Sequence, residues 1–235
     1  MLIGVAVTVR LGFWQLSRAA EKEARHAAIV ALMAAPVLDT AALLKTPSHF
    51  AQLHQRVDLV GQWLPEHTVY LDNRPMNGRA GFWVLTPLQL DAVTRVLVQR
   101  GWVPRHQQDR TLLPAIQSPS GMVRVQGRIA PSPSHLMDLG TAAEAAGASS
   151  DTSKIRQNLD VQAYASQTGG ALAATVLQTD AASDGLLRDW PEITAGVEKN
   201  LAYAFQWFAL AALQLMLYIW FQFIQPHRHA RRSSF

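Results

Sequence analysis

From Leu201 to Ile224 the chain runs for about 24 positions without a charged side chain. Roughly 20 such residues suffice to cross the hydrocarbon core of a bilayer. Leu, Ile and Phe fill 11 of these positions. At a few tenths of a kcal/mol each, they favour insertion by about 5 kcal/mol. A helix of this length on a soluble protein would carry a polar face. The segment 197–225 is therefore expected to be a transmembrane helix. Pro226 ends it, and Arg228, Arg231 and Arg232 follow in a basic tail, 226–235. Basic residues resist translocation, which places that tail in the cytoplasm or matrix.

The run also holds groups that want hydrogen bonds. On a helical wheel Asn200, Tyr203, Trp207, Leu210, Gln214, Tyr218 and Phe221 fall on one stripe. Polar groups inside a membrane face protein, water or ligand. One reading is packing against a second helix, with Gln214 and Tyr218 bonding across the interface at about 0.6 kcal/mol per bond. The other is a flat, aromatic-lined surface for a macrocycle or a partner helix.

The chain is 235 residues long, and its 16% charged residues and mean hydropathy of +0.04 are too polar for a multi-span transporter. They suit one soluble domain plus anchors. The net charge of +4 concentrates in the tail and forms no basic stripe, which argues against nucleic acid. With no cysteine there is no disulfide and no thiolate metal site.

The other end, "MLIGVAVTVRLGFWQL", is apolar but interrupted by Arg10. An arginine near mid-membrane costs about 2.5–3.5 kcal/mol. A signal peptide would need a basic start and a small-residue cleavage site, and neither is present. The segment is read instead as the outer half of an anchor helix whose start lies upstream, with Arg10 toward the surface or against the other helix. Strong helix formers continue to Pro36, giving an anchor and its extension over 1–35. Leu11, Gln15, Arg18, Lys22 and Arg25 make a stripe on it. That stripe is either a solvated face or a polar seam at the membrane surface that meets an anionic group.

Residues 36–196 read as a β-rich extracytoplasmic domain. A connector with one or two short helices leads to "QRVDLVGQWL", "HTVYLDNRP", "GFWVLTPLQL", "TRVLVQRGWVP" and "MVRVQGRIA", each short, β-prone and bounded by turn residues. Asn77-Gly78 is expected to sit at positive φ in a hairpin loop, and "LDAV" is a second tight turn. Regular spacing predicts an antiparallel sheet, a barrel or a sandwich. A small-residue linker, 138–153, is expected to be mobile. A strand and a short helix with Asp160 as N-cap follow, then a last strand in "ALAATVLQTDA". The fold class is thus an α+β membrane protein: two transmembrane helices flanking an antiparallel β-rich domain with short helices.

No catalytic constellation stands out. The eight histidines include His49, His135, His227 and His229 and make no metal-ligand spacing. There is no nucleophile elbow and no phosphate-cradling glycine loop. Asp72 and Arg74 read as turn-stabilising residues. No enzymatic role and no metal site are expected.

"LGFWQLSRAAEK", "GQWLPEHTVYLDNRPMNGRAGFWVLTPLQL", "VLVQRGWVP", "GRIAPSP", "RQNLD" and "YAFQWFALA" together resemble the surfeit locus protein 1 family. The resemblance implies two transmembrane helices around a periplasmic domain in the bacterial inner membrane, with a cytoplasmic C-terminus. It implies an assembly role for haem-copper cytochrome c oxidase, with subunit I and the haem a synthesis machinery as partners. It also implies haem a as a transient cofactor delivered to subunit I, and the stripes read above place it between the helices against Gln15, Arg18, Asn200, Tyr203 and Trp207, with Gln15 and Arg18 toward the propionates. One departure matters: family members often carry histidine where Asn200 stands, and asparagine is a poor iron ligand. His26, or binding by the porphyrin face alone, are the alternatives. A haem-independent scaffold for subunit I is the competing function.

Overall fold

The computed structural model describes residues 2–46, 50–106, 108–109, 112–133, 153–182 and 184–225. The expected linker up to residue 152 and the basic tail from Pro226 lie outside the described residues, as do His49, His135, His227 and His229. The chain divides into two compact units, Ile29–Pro191 and Met1–Ala28 with Glu192–Phe235.

The first unit is built on an eight-stranded sheet: β1 (Leu38–Asp39), β2 (Arg56–Trp63), β3 (Val69–Leu71), β4 (Gly81–Gln89), β5 (Thr94–Pro104), β6 (Met122–Ala130), β7 (Ile155–Arg156) and β8 (Ala171–Gln178). The order is β1-β2-β6-β8-β5-β4-β3-β7, and β2 also pairs β4 through Gln62–Gln89 and Trp63–Leu88. That extra pairing closes β2, β6, β8, β5 and β4 into a small barrel, while β3 and β7 extend from β4.

The strand pattern shows where each strand sits. β2 alternates buried and more exposed residues, as a strand with one wet face does. β5 is buried without a break from Val96 to Val103. Its Val96 and Val98 join Val57, Leu59, Trp63, Leu88, Val125, Ile129 and Val176 in one core cluster, closed by Leu43 of helix α2 (Thr40–Lys45). Leu97, on the opposite face, packs with Leu71, Leu85, Leu159 and Tyr164 under helix α3 (Val161–Thr168). The Asp160 carboxylate caps α3, accepting from the backbone N–H of Gln162 (2.8 Å) and Ala163 (3.0 Å).

The turns behave as their sequence dictates. Asn77 and Gly78 have φ of 52° and 74°, and Met76 and Arg79 exchange backbone hydrogen bonds of 3.0 Å across them. That is the two-residue hairpin favoured by strand twist. The Asp91 carboxylate accepts from the N–H of Val93 and Thr94, and these bonds hold it below the usual carboxylate range.

Two expectations are corrected. The sheet is mixed, because β1–β2, β3–β7 and β5–β8 are parallel. A parallel partner needs a crossover, and the chain between β5 and β8 supplies it through β6, β7 and α3. The strand expected in "HTVYLDNRP" shrinks to Val69–Leu71. Asp72 turns its carboxylate onto the Asn73 N–H at 2.7 Å, and Asn73 takes φ 59°, which ends the pairing.

An arginine pair with buried side chains, gathered on Asp184, completes this unit. Arg100 is 1% exposed, lies 4.4 Å over the Trp63 ring and donates to Asp184 at 2.9 Å. Arg188 donates to both oxygens of the same carboxylate and to the Arg100 carbonyl. Burial pushes the Arg100 guanidinium below its ordinary pKa, and the Asp184 hydrogen bond opposes that shift.

The second unit is a helix pair. Helix α1 runs Leu2–Ala34, of which the part to Ala28 belongs here, and helix α4 runs Glu198–Ile219. A π-helical turn, Trp220–Ile224, continues α4. Among the described residues Glu198–Phe223 is the one stretch long and apolar enough to cross a membrane.

Candidate functional site: the seam of the helix pair

The helices run antiparallel. A Cβ on Gly4 would lie 3.0 Å from the Gln214 side chain, and one on Gly12 would lie 2.6 Å from the Phe208 ring. At the far end His26 Nε2 donates to the Ile193 carbonyl at 2.9 Å. The buried residues are small: Thr8, Gly12 and Ala19 on α1, Ala204 and Ala211 on α4. Small residues spaced in this way let two backbones approach closely. Phe13 meets Phe208 edge-on, with ring centres 5.3 Å apart. Thr8 returns its hydroxyl to the Gly4 and Val5 carbonyls, so it brings no unpaired donor into the seam.

Polar groups gather where the apolar runs end. Asn200 Nδ2 donates to Gln15 Oε1 at 2.7 Å. Asn200 Oδ1 accepts from Lys22 Nζ, also at 2.7 Å, and Lys22 reaches the Gly196 carbonyl at 3.1 Å. One asparagine therefore spends both ends of its amide on α1. A cation bonded to an amide oxygen makes a stronger hydrogen bond than a neutral donor.

The five residues nominated from sequence separate here. Gln15 and Asn200 meet directly. Trp207 is half-buried beside the seam. Tyr203 is 52% exposed. The Arg18 guanidinium pairs with Glu21 on its own helix at 2.7 Å. The stripe on α1 is thus Gly4, Thr8, Gly12, Gln15, Ala19, Lys22 and His26, and Arg18 and Arg25 flank Glu21 on another face. Lys22 stood on the stripe read from sequence and His26 was offered as an alternative iron ligand, but neither was among the five nominated residues. The signal that could have found them is the Gly4–Thr8–Gly12 spacing, which marks the close face of the helix and continues through Gln15 to Lys22 and His26.

A haem needs a flat slot and an iron ligand. The seam offers neither as it stands. Phe208 fills the space over Gly12, Gln15 and Asn200 satisfy each other, and the Nε2 of His26 is engaged by a carbonyl. The residues present do not fit a macrocycle held between the closed helices. No group of three or more potential metal-ligating side chains occurs among the described residues.

A mixed-sheet barrel joined at both ends to an antiparallel helix pair, one helix apolar enough to span a bilayer, defines the class. The particular family follows from comparison: a model described as the SURF1 family matches residues 2–212, and the chain belongs to that family. It is similar to a SURF1-like protein of Rickettsia felis, 33% identical over 105 residues, 43% of this chain and 44% of that protein. A SURF1-like protein of Rickettsia bellii is likewise 33% identical over 105 residues, 43% of this chain and 41% of the relative. The matched stretch spans less than half the length of these relatives.

Proposed function

We propose that this chain is a membrane-anchored assembly factor for haem-copper cytochrome c oxidase that holds subunit I during maturation. The family membership supports the oxidase role. The observation that carries the membrane part is the register of the helix pair: the apolar half of α1 lies along the apolar run of α4, and the first polar cluster, Gln15–Asn200–Lys22, lies where both runs end. In this reading both helices span the bacterial inner membrane, the barrel is periplasmic and the C-terminus cytoplasmic. The chain performs no chemistry of its own.

Of the two modes open to such a factor, the closed seam favours the scaffold over haem a carriage. The test is a deletion strain complemented with this chain. Oxidase activity and the amount of subunit I in membranes are expected to fall on deletion and return with the chain. The protein purified after co-expression with haem a synthesis is expected to be colourless. A stoichiometric haem spectrum would overturn the scaffold mode, and unchanged oxidase on deletion would overturn the function itself.

A further inference from the structure

Arg10 sits in the wrong solvent for its charge. On the two-span reading just proposed, the register fixes its depth. Gly4 meets Gln214 and Gly12 meets Phe208, so Arg10 lies level with the turn of α4 just beyond Phe208. That is about seven to nine residues inside the apolar run that starts at Leu201, or roughly 10–14 Å at 1.5 Å per residue. The core of a bilayer is about 30 Å thick. Arg10 is therefore well inside the hydrocarbon, and its side chain is exposed.

Its treatment differs from that of Arg18 and Lys22 on the same helix. Lys22 is bonded to Asn200, and Arg18 is paired with Glu21. Arg10 has no hydrogen bond or ion pair among the described residues. Nor can its own unit supply a carboxylate by a small adjustment. The acidic residues of that unit are Glu21, Glu23, Glu192 and Glu198, all beyond the apolar runs. Charged side chains at membrane depth pair with one another or face a water-filled path. The face around Arg10 is no water path: Ile3, Val7 and Trp14 are large, apolar and exposed. With Arg10 they are spaced four, three and four residues apart, the spacing of a helix-packing seam. This stripe is distinct from the Gly4–Thr8–Gly12 face that α4 already covers.

We propose that the Ile3–Val7–Arg10–Trp14 stripe docks a transmembrane helix of a partner protein that presents a carboxylate to Arg10. Under the function proposed above, that partner is oxidase subunit I. A second copy of this chain is a poor occupant, because it brings the same cation and no acid at that depth.

The absence of cysteine makes the test clean. The full chain, tagged, is compared with Arg10→Gln, Arg10→Lys, Arg10→Glu and Trp14→Ala for subunit I recovered in mild detergent and for its own level in membranes. Arg10→Gln and Arg10→Glu are expected to lower recovery at least tenfold, and Trp14→Ala several-fold, at unchanged membrane level. Arg10→Lys should stay within a few-fold of the parent. Recovery by Arg10→Glu equal to the parent overturns the docking face. Loss of Arg10→Gln from the membrane, with normal recovery by what remains, assigns the cation to lipid phosphate and also overturns it, as does crosslinking of two copies through a photoreactive residue at position 14. The Arg10→Cys thiol is expected to resist a membrane-impermeant maleimide in intact membranes. Ready labelling there overturns the two-span reading itself, and a parent that recovers no subunit I overturns the choice of partner.

Discussion

The barrel and the helix pair place their apolar side chains in opposite ways. In the barrel Leu59, Leu88, Val96, Val98 and Val176 are fully buried, and a buried arginine pair is neutralised from within by Asp184. In the helix pair the buried residues are glycine, alanine and threonine, and Phe205, Met216 and Phe221 point outward. Phe205 is 74% exposed. Burial of large side chains stabilises a protein in water by about 1.5–3 kcal/mol each. The pair forgoes that gain, which is sensible only where the surroundings are as apolar as the side chains. The contrast is the physical ground on which the proposed membrane anchoring rests. It also teaches that close backbone packing, and not side-chain volume, joins α1 to α4.

The comparison can be broken most sharply at Asp184. Replacing it by alanine leaves Arg100 buried with no carboxylate and Arg188 with only the more exposed Asp180, 3.3 Å away, a loss of about 3–5 kcal/mol. Denaturant unfolding of the detergent-solubilised chain, followed by tryptophan fluorescence, should show a barrel transition at much lower denaturant. A transition within experimental error of the parent would mean that water or other groups already screen those arginines.

A smaller effect is expected at the seam. Gly12→Leu drives a side chain into the Phe208 ring, and overpacking of this kind costs about 1–3 kcal/mol. Phe208→Ala in the same chain should recover part of the loss by opening the space. If Gly12→Leu alone leaves the α1–α4 association unchanged, measured by co-isolation of the two helices after cleavage between them, the close-packed seam is wrong.

Next in size is the hairpin. Nothing surrounds a Cβ at Gly78, so only its φ of +74° resists substitution. Gly78→Val should cost about 1–3 kcal/mol, and Gly78→Asn less, since asparagine tolerates that region. Equal melting of both variants would remove backbone strain as the cause.

The smallest effect is one of pH. Partial burial, with Arg128 second, pushes the His54 imidazole below its ordinary pKa of 6.5. The folded state therefore prefers the neutral ring. Stability from this residue is present above the unfolded pKa and is lost as pH falls through the lower folded one. The parent should lose slightly more stability than His54→Asn between pH 7.5 and pH 5. Asparagine also suits the φ of 77° at this position. Parallel pH profiles would show that His54 does not contribute.

Much of this molecule is written in local sequence. The uncharged run from Leu201, the Asp160 cap, the Asn77-Gly78 turn and most strand bounds follow from side-chain chemistry within a few residues. Helix and turn preferences act over that range, so reading them needs no knowledge of partners in space. The all-antiparallel sheet expected from strand spacing was wrong because orientation depends on the path between strands. Nothing in "ALAATVLQ" states that β8 will lie parallel to β5.

The candidate site divides along the same line. That α4 would carry polar groups needing partners was legible, and Gln15 and Asn200 could be nominated. Which face of α1 would meet them was not, because two stripes offset by one residue, one through Arg18 and one through Ala19, look alike until the second helix is in place. Tertiary packing chose Ala19, since a small side chain allows the backbones to close and an arginine would hold them apart. That choice turned Arg18 onto Glu21, gave Lys22 to Asn200 and left Arg10 on the outer surface. The sequence by itself determined the elements and the charges they carry. Only the packed structure decided which charges are satisfied within the chain, because pairing depends on distances between residues that lie far apart along it.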